Sequence, residues 1–256
     1  MELLKRRKAL SKLLILLTVI VVSGAVSCCS LGHRNVSRTG VMSAHDSFVF
    51  ILAKNYTKRC MGQTCAEKVL TGSGSGFSIA VTKDYTIAAT AGHLCMPDEG
   101  TYKQEFTATA LGGETYPAIT LFMSPETDTC IIAIKGVNVK PLRISKSDVS
   151  RGDKVFAMGA PFGLFDNEMV AKFDGYFAGP TESVIPKGVP GSELRLFGYS
   201  IPARPGSSGG PILNQRGEVV GMIVMAHPMF EHFALSPRQD ELRFVLNLAL
   251  VAARSL

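Results

Sequence analysis

The sequence predicts an all-β domain that ends in one α-helix and is preceded by a hydrophobic N-terminal helix. Three observations carry this. From about residue 46 the chain is a series of short apolar runs broken by turns. Its 25 Gly and 13 Pro are spread along the chain rather than clustered, as many short strands and tight turns require. Helical spacing of apolar residues in the body of the chain appears only at its end, over 237–256.

Taken in order, Lys5-Arg6-Arg7-Lys8 is followed by the apolar run from Leu13 to Val22. Cations before an apolar stretch are the layout of an export signal, with the basic end kept on the cytoplasmic side. Residues 1–29 therefore read as a signal peptide or signal anchor, which associates the N-terminus with a membrane and exports the downstream domain. Three fates fit the residues. Ala25-Val26-Ser27 suits cleavage before Cys28; the same stretch loosely resembles a bacterial lipoprotein box, without its usual Leu; and residues 9–29, if uncut, reach the roughly 20 residues of a membrane span. Residues 30–45 are polar and read as a linker. The domain then occupies 46–256.

Strands are expected around Phe48–Leu52, Gly76–Val81, Thr86–Ala89, Phe106–Leu111, Ala118–Phe122, Cys130–Ile134, Lys154–Met158 and Val170–Phe177. Pro211–Leu213, Val219–Met225 and Phe233–Leu235 follow. In the final segment Leu242, Val245, Leu246, Leu248, Leu250 and Val251 recur at helical spacing. Ser236 is placed to cap that helix, Pro237 to begin it, and Asp240 and Glu241 to sit in its first turn.

The net charge of +6 argues little about nucleic acid once it is located. Five cations against Glu2 put +4 of it in residues 1–27, leaving +2 for the other 229 residues and no basic run after Lys12. A phosphate-tracking surface needs clustered charge on the folded domain, so nucleic acid is not expected as a partner.

Amide hydrolysis needs an activated nucleophile, a base and donors for an oxyanion. Pro205-Gly206-Ser207-Ser208-Gly209-Gly210-Pro211 surrounds a serine with small residues, which lets backbone N–H groups converge beside it. Alone, such a cluster is more often a turn. Two further segments change that reading. Ala91-Gly92-His93 ends an apolar strand in a histidine, and Asp128 opens the apolar run Cys130–Ile134. A carboxylate at the mouth of a core strand is costly unless paired, and an imidazole N–H is a suitable partner. The order His93, Asp128, Ser208 is one in which serine peptidases supply a triad.

Cys60 and Cys65 are close enough in sequence to close a small loop. Cys95 lies two residues beyond His93 and Cys130 two beyond Asp128, so a Cys95–Cys130 bridge is conceivable if the two segments meet. Buried thiols fit each pair equally. No paired C-x-x-C or H-x-x-x-H spacing supports a metal, and no cofactor is implied.

The stretch from about Gly72 to Leu248 resembles the protease domain of the trypsin-like superfamily, in its HtrA/Deg-like branch. Gly74-Ser75-Gly76-Phe77, Ala91-Gly92-His93, Asp128–Ile134, Gly217–Gly221 and Phe233–Leu235 each match a branch motif. The run from Gly152 to Leu164, with Gly159-Ala160-Pro161-Phe162-Gly163, is the most branch-specific. The resemblance implies two six-stranded antiparallel β-barrels, about 46–143 and 144–236, with the active site between them and the helix 237–256 behind. It implies a serine endopeptidase acting on protein or peptide substrates, with Ser208 rather than Ser207 as nucleophile. His93 and Asp128 would complete the triad, and the N–H groups of Gly206 and Ser208 would form the oxyanion hole. Arg204, Val224, Met225 and Ala226 would border the substrate pocket. No acidic residue stands there, so small or medium apolar side chains are expected before the scissile bond. No second globular pattern follows the helix, so the branch's frequent PDZ domain is not expected. The rival readings are a non-catalytic binding module on this scaffold and a protease confined to its own chain or one partner, as in viruses. An intact triad argues against the first.

Overall fold

A computed structural model describes residues 44–61, 64–166, 169–181, 196–227, 230 and 232–255. The expected leader and all but the end of the linker lie outside the described residues. Among the described residues, no helix is long and apolar enough to cross a membrane. The chain divides into Met1–Val36 and Ser37–Leu256, and every described element belongs to the second unit.

The first half of that unit is a closed antiparallel barrel. The strands are β1 (Phe48–Met61), β2 (Thr64–Val81), β3 (Tyr85–Ala91), β4 (Thr101–Ala110), β5 (Thr115–Ser124) and β6 (Thr129–Lys135), joined in the order β1-β2-β3-β6-β5-β4. β1 and β2 form a hairpin paired along its whole length, from Phe48 opposite Phe77 to Met61 opposite Thr64. Its outer part buries no face, and a Cys60–Cys65 disulfide joins the paired cysteines near the tip.

β6 explains its own composition. Cys130, Ile132 and Ile134 fill the barrel interior, while Ile131 and Ala133 face the other way into a core shared with the second half. A strand covered on both faces reads as an unbroken apolar run. Each of its fully buried Ile side chains contributes about 1.5–3 kcal/mol.

The second half departs from the expected closed barrel. It is an eight-stranded sheet in the order β12-β11-β7-β9-β10-β14-β13, with β8 paired to β9. The strands are β7 (Lys154–Gly159), β8 (Phe165–Asp166), β9 (Met169–Thr181), β10 (Leu196–Tyr199), β11 (Pro211–Leu213), β12 (Val219–Met222), β13 (Met225–Ala226) and β14 (Ala234–Pro237). Its end strands, β12 and β13, are successive in the chain, separated by Ile223 and Val224. No ladder joins β12 to β14 among the described residues. The Met222 N–H is instead taken by the buried Ser236 Oγ at 3.0 Å, and one backbone bond, Val224 N–H to Leu235 C=O, bridges the gap at 2.9 Å.

Ser236 is therefore a sheet residue and not the expected helix cap. The helix α1 (Gln239–Ala252) begins after Arg238, which makes no side-chain cap. Asp240 and Glu241 occupy its first turn, where acids favour the helix dipole. Leu242, Val245, Leu246 and Ala249 pack inward, whereas Phe244, Leu248 and Val251 stand exposed. α1 covers residues from both halves in one continuous core.

Candidate active site

Asp128 follows the short turn Pro125–Thr127 and sits in the left-handed region, with φ of 45°. Asp tolerates that conformation better than most residues. The kink turns its carboxylate out of the β6 ladder toward the segment after β3. There the Gly92 N–H donates to the Asp128 carbonyl at 2.7 Å, and the His93 N–H donates to Oδ1 at 2.6 Å. The His93 ring meets Oδ2 through Nδ1 at 2.8 Å. A carboxylate only accepts, so this contact places the ring hydrogen on Nδ1 and leaves Nε2 as the basic atom. The carboxylate is largely buried, while 44% of the His93 side chain stays open to solvent. A Cys95–Cys130 disulfide, with a Cα–Cα distance of 6.4 Å, joins the same two segments just beyond.

Gly92 is required by this approach. A Cβ there would lie 2.8 Å from Asp128 Oδ1 and 2.9 Å from the Asp128 carbonyl carbon.

Ser208 comes from the second half, on the loop between β10 and β11. The Ser75 N–H donates to the Ser208 carbonyl at 2.7 Å. A Cβ on Gly209 would fall 2.4 Å from Thr90 Oγ1 and 2.9 Å from the Ala91 nitrogen. The serine loop is thus seated on β2 and on the end of β3 that leads into His93. Ser208 is half-buried, and its Oγ makes no hydrogen bond among the described residues.

The loop around Ser208 is held in a particular shape. Gly206 has φ of +93°, and a Cβ there would lie 2.3 Å from the Ala160 carbonyl oxygen. The Pro205 carbonyl accepts the Phe162 N–H at 2.6 Å. Because a peptide is planar and trans, its N–H points opposite its C=O, so the Gly206 N–H is directed away from Phe162. Neither the Gly206 nor the Ser208 N–H has an acceptor among the described residues. Ser207 is buried, bonded through its backbone to Arg204 and Gly210, and closely covered by Gly159. Phe162 itself is left-handed, with φ of 54°, and its ring stands 68% exposed.

Of the other expected pocket residues, Arg204 is half-exposed and pairs by its carbonyl with the Ser207 N–H. Val224 is buried in the shared core, whereas Met225 and Ala226 are half-buried on β13 opposite Leu235 and Ala234. Sequence reasoning missed two contributors: Ser75, and the Phe162 N–H. The signals that could have found them were a serine between two glycines and an aromatic residue between proline and glycine. Among the described residues no cluster of His, Cys, Asp and Glu could hold a metal.

Residues 74–222, more than half of the chain, match the family described as Trypsin-like peptidase domain. The chain belongs to that family. Among its relatives, HhoA of Synechocystis sp., named as a serine protease, is 31% identical over 160 residues, covering 61% of this chain and 37% of HhoA. The serine protease Do-like HtrB of Bacillus subtilis is 30% identical over 121 residues, covering 46% of this chain and 26% of HtrB. A probable periplasmic serine endoprotease, DegP-like, from Chlamydia pneumoniae is 34% identical over 112 residues, covering 43% and 21%. The chain thus spans well under half the length of these relatives. Two solved structures share its fold. The HtrA-type protease AlgW with a decapeptide superposes with a TM-score of 0.63 at 14% identity, covering 84% of this chain and 67% of AlgW. The Rv3671c protease of M. tuberculosis in its active form gives 0.61 at 19% identity, covering 83% and 84%.

Proposed function

We propose that this peptidase is a serine endopeptidase whose triad is His93, Asp128 and Ser208. The observation that carries the reading is the double hold of Asp128 on His93, by backbone and by ring, beside a serine loop seated on β2 and on the end of β3 that leads into His93. In the proposed reaction Ser208 Oγ attacks the scissile carbonyl carbon while its proton passes to His93 Nε2. Asp128 keeps the ring in the competent tautomer and stabilises the imidazolium. The oxyanion that forms is met by the N–H groups of Gly206 and Ser208, each such donor being worth about 3–4 kcal/mol. Collapse breaks the C–N bond, His93 returns the proton to the leaving amine, and an acyl-enzyme remains. Water, activated by the same histidine, then hydrolyses the ester. The Oγ–Nε2 hydrogen bond forms as substrate is bound, since catalytic bonds are often looser in unliganded sites.

Substrates are proteins or peptides, in keeping with the decapeptide held by AlgW. Met225 and Ala226 offer an apolar, uncharged border, which favours small or medium apolar residues before the scissile bond. The basic-then-apolar N-terminus and the periplasmic relative support export of the domain. Domain bounds of 1–29, 30–45 and 46–256 belong to the same proposal.

The test is labelling by a fluorophosphonate together with cleavage of an unfolded protein. Wild type should show both and Ser208→Ala neither, with an unchanged circular dichroism spectrum. Labelling that persists in Ser208→Ala would sink the assignment. Mass spectrometry of the N-terminus of the exported protein reads the fate of residues 1–27.

A further inference from the structure

Gly206 carries both the oxyanion donor and the softest backbone in the site, since a glycine has no Cβ to restrict its dihedrals. A donor is useful only if it is already aimed when charge develops. The freedom of a glycine is removed when the peptide planes on both sides of it are fixed. The plane before Gly206 is fixed by the Phe162 N–H, which donates to the Pro205 carbonyl at 2.6 Å. The plane after it is held at both ends, by the Ser207 N–H on the Arg204 carbonyl at 2.9 Å and by a side chain on the Gly206 carbonyl. Ser75 Oγ, wholly buried, donates to the Gly206 carbonyl at 2.8 Å and accepts the Ala160 N–H at 2.9 Å.

Ser75 does more than occupy that point. Its N–H donates to the Ser208 carbonyl at 2.7 Å, and its carbonyl accepts Thr90 Oγ1 at 2.7 Å. It therefore ties β2 of the first half to both peptides that flank the nucleophile loop, through backbone on one side and hydroxyl on the other. The glycines beside it leave no room for a substitute: a Cβ on Gly74 would fall 3.0 Å from the Ser208 carbonyl, and one on Gly76 3.0 Å from that of Ala89. We infer that Ser75 is a positioning residue for the oxyanion hole, acting through the Gly206 carbonyl. The inference rests on the serine endopeptidase reading above.

Removing the hydroxyl leaves two buried backbone groups, the Gly206 carbonyl and the Ala160 N–H, without this partner. The Gly206–Ser207 peptide then keeps only the bond from the Ser207 N–H to the Arg204 carbonyl, and the Gly206 N–H, still tethered through the Pro205 carbonyl to Phe162, loses the second hold that sharpens its aim. A merely structural serine would cost stability but not rate. Ser78 supplies that comparison: it lies on the same strand, is wholly buried, and its Oγ donates to the Val139 carbonyl at 2.8 Å, away from the nucleophile loop.

The experiment measures kcat and KM on a peptide amide, and Ki for a peptide boronate that forms a tetrahedral adduct. Ser75→Ala should lower kcat on the order of 10–100-fold with KM within about twofold, and weaken the boronate by a similar factor. Ser78→Ala should lose melting temperature but keep kcat. Ser75→Thr, which retains the hydroxyl, should recover most of the rate. If Ser75→Ala does not fold, Ser75→Cys takes its place, its weak S–H donor giving an intermediate loss. A folded Ser75→Ala or Ser75→Cys enzyme with wild-type kcat, or a Ser78→Ala enzyme that loses kcat in parallel, overturns the positioning role while leaving the triad intact. A wild-type protein that neither labels with fluorophosphonate nor cleaves overturns the triad reading, and this inference with it.

Discussion

Gly92→Ala adds a single methyl group at the point where the His93 segment crosses Asp128. Gly92 is not among the positive-φ residues, so the substitution brings no backbone strain of its own and its effect is steric. The new Cβ would lie 2.8 Å from Asp128 Oδ1, 2.9 Å from the Asp128 carbonyl carbon and 3.0 Å from the Thr129 nitrogen, where ordinary contact begins at 3.4 Å. Two of those three atoms are backbone at the entrance to β6, which is packed on both faces and cannot give way. Relief must come from the Gly92–His93 segment, by a displacement on the order of half an ångström. The same displacement stretches the 2.6 Å and 2.8 Å bonds from His93 to the carboxylate toward the edge of useful hydrogen bonding. We expect kcat to fall about 10–100-fold and stability to drop by about 1–3 kcal/mol. Gly72→Ala is the matched comparison, because a Cβ there meets nothing within 4 Å. It should leave kcat unchanged. Steady-state hydrolysis of a peptide amide, paired with urea unfolding of both variants, reads the two quantities separately. A Gly92→Ala enzyme within twofold of wild-type kcat would refute the steric reasoning.

Asp128→Asn should reduce kcat by about 10⁴-fold, because an amide in that place can hold the wrong imidazole tautomer; a loss below tenfold in the same assay would show that Asp128 does not orient the ring. Replacing Cys95 and Cys130 together by Ala should cost about 3–4 kcal/mol in urea unfolding, from the loop their 35-residue separation closes. The Cys60–Cys65 pair, only five apart in a hairpin already in register, should cost about 2 kcal/mol or less, and equal losses would contradict the loop-length reasoning. Hydrogen bonds from Asn214 first, then Arg216, hold the Glu218 carboxyl below its ordinary 4.5 against the opposing effect of burial. A depressed folded-state value adds stability above the unfolded value, and that stability is lost as pH falls through the folded one. Glu218→Gln should therefore flatten the acid side of the melting-temperature profile below about pH 4.5, and parallel profiles would refute it.

The core strands were legible because their apolar runs are forced by burial on both faces, as in Cys130–Ile134. The outer half of the β1–β2 hairpin was not. Its described residues 58–61 and 64–68 are exposed and mix Lys, Arg and Glu with Cys, Met and Ala, so no apolar alternation marks them as strand. β8 and β10 are too short to carry a pattern of their own. Ser236 shows a different limit. Its place before a helix suggested a cap, but its hydroxyl is claimed by Met222 from a strand that sequence order does not put beside it. In the proposed site, His93 and Asp128 could be picked out because each residue type is unusual where it stands, whereas Ser208, in a cluster that alone reads as a turn, was singled out by following them in order. The backbone donors that shape the serine loop left no comparable trace, since an N–H looks the same in every residue. Phe162 and Ser75 act there through bonds that only the folded chain reveals.

His93 and Asp128 belong to one half of the fold, and Ser208 to the other. On the proposed chemistry neither half is a protease by itself: the first holds a base with nothing to deprotonate, the second a serine with nothing to take its proton. Competence arises only when the two halves dock and Ser75 closes on the serine loop. A chain caught part-way through folding is therefore unable to cut its neighbours, and the seam between the halves is the safety catch of the molecule.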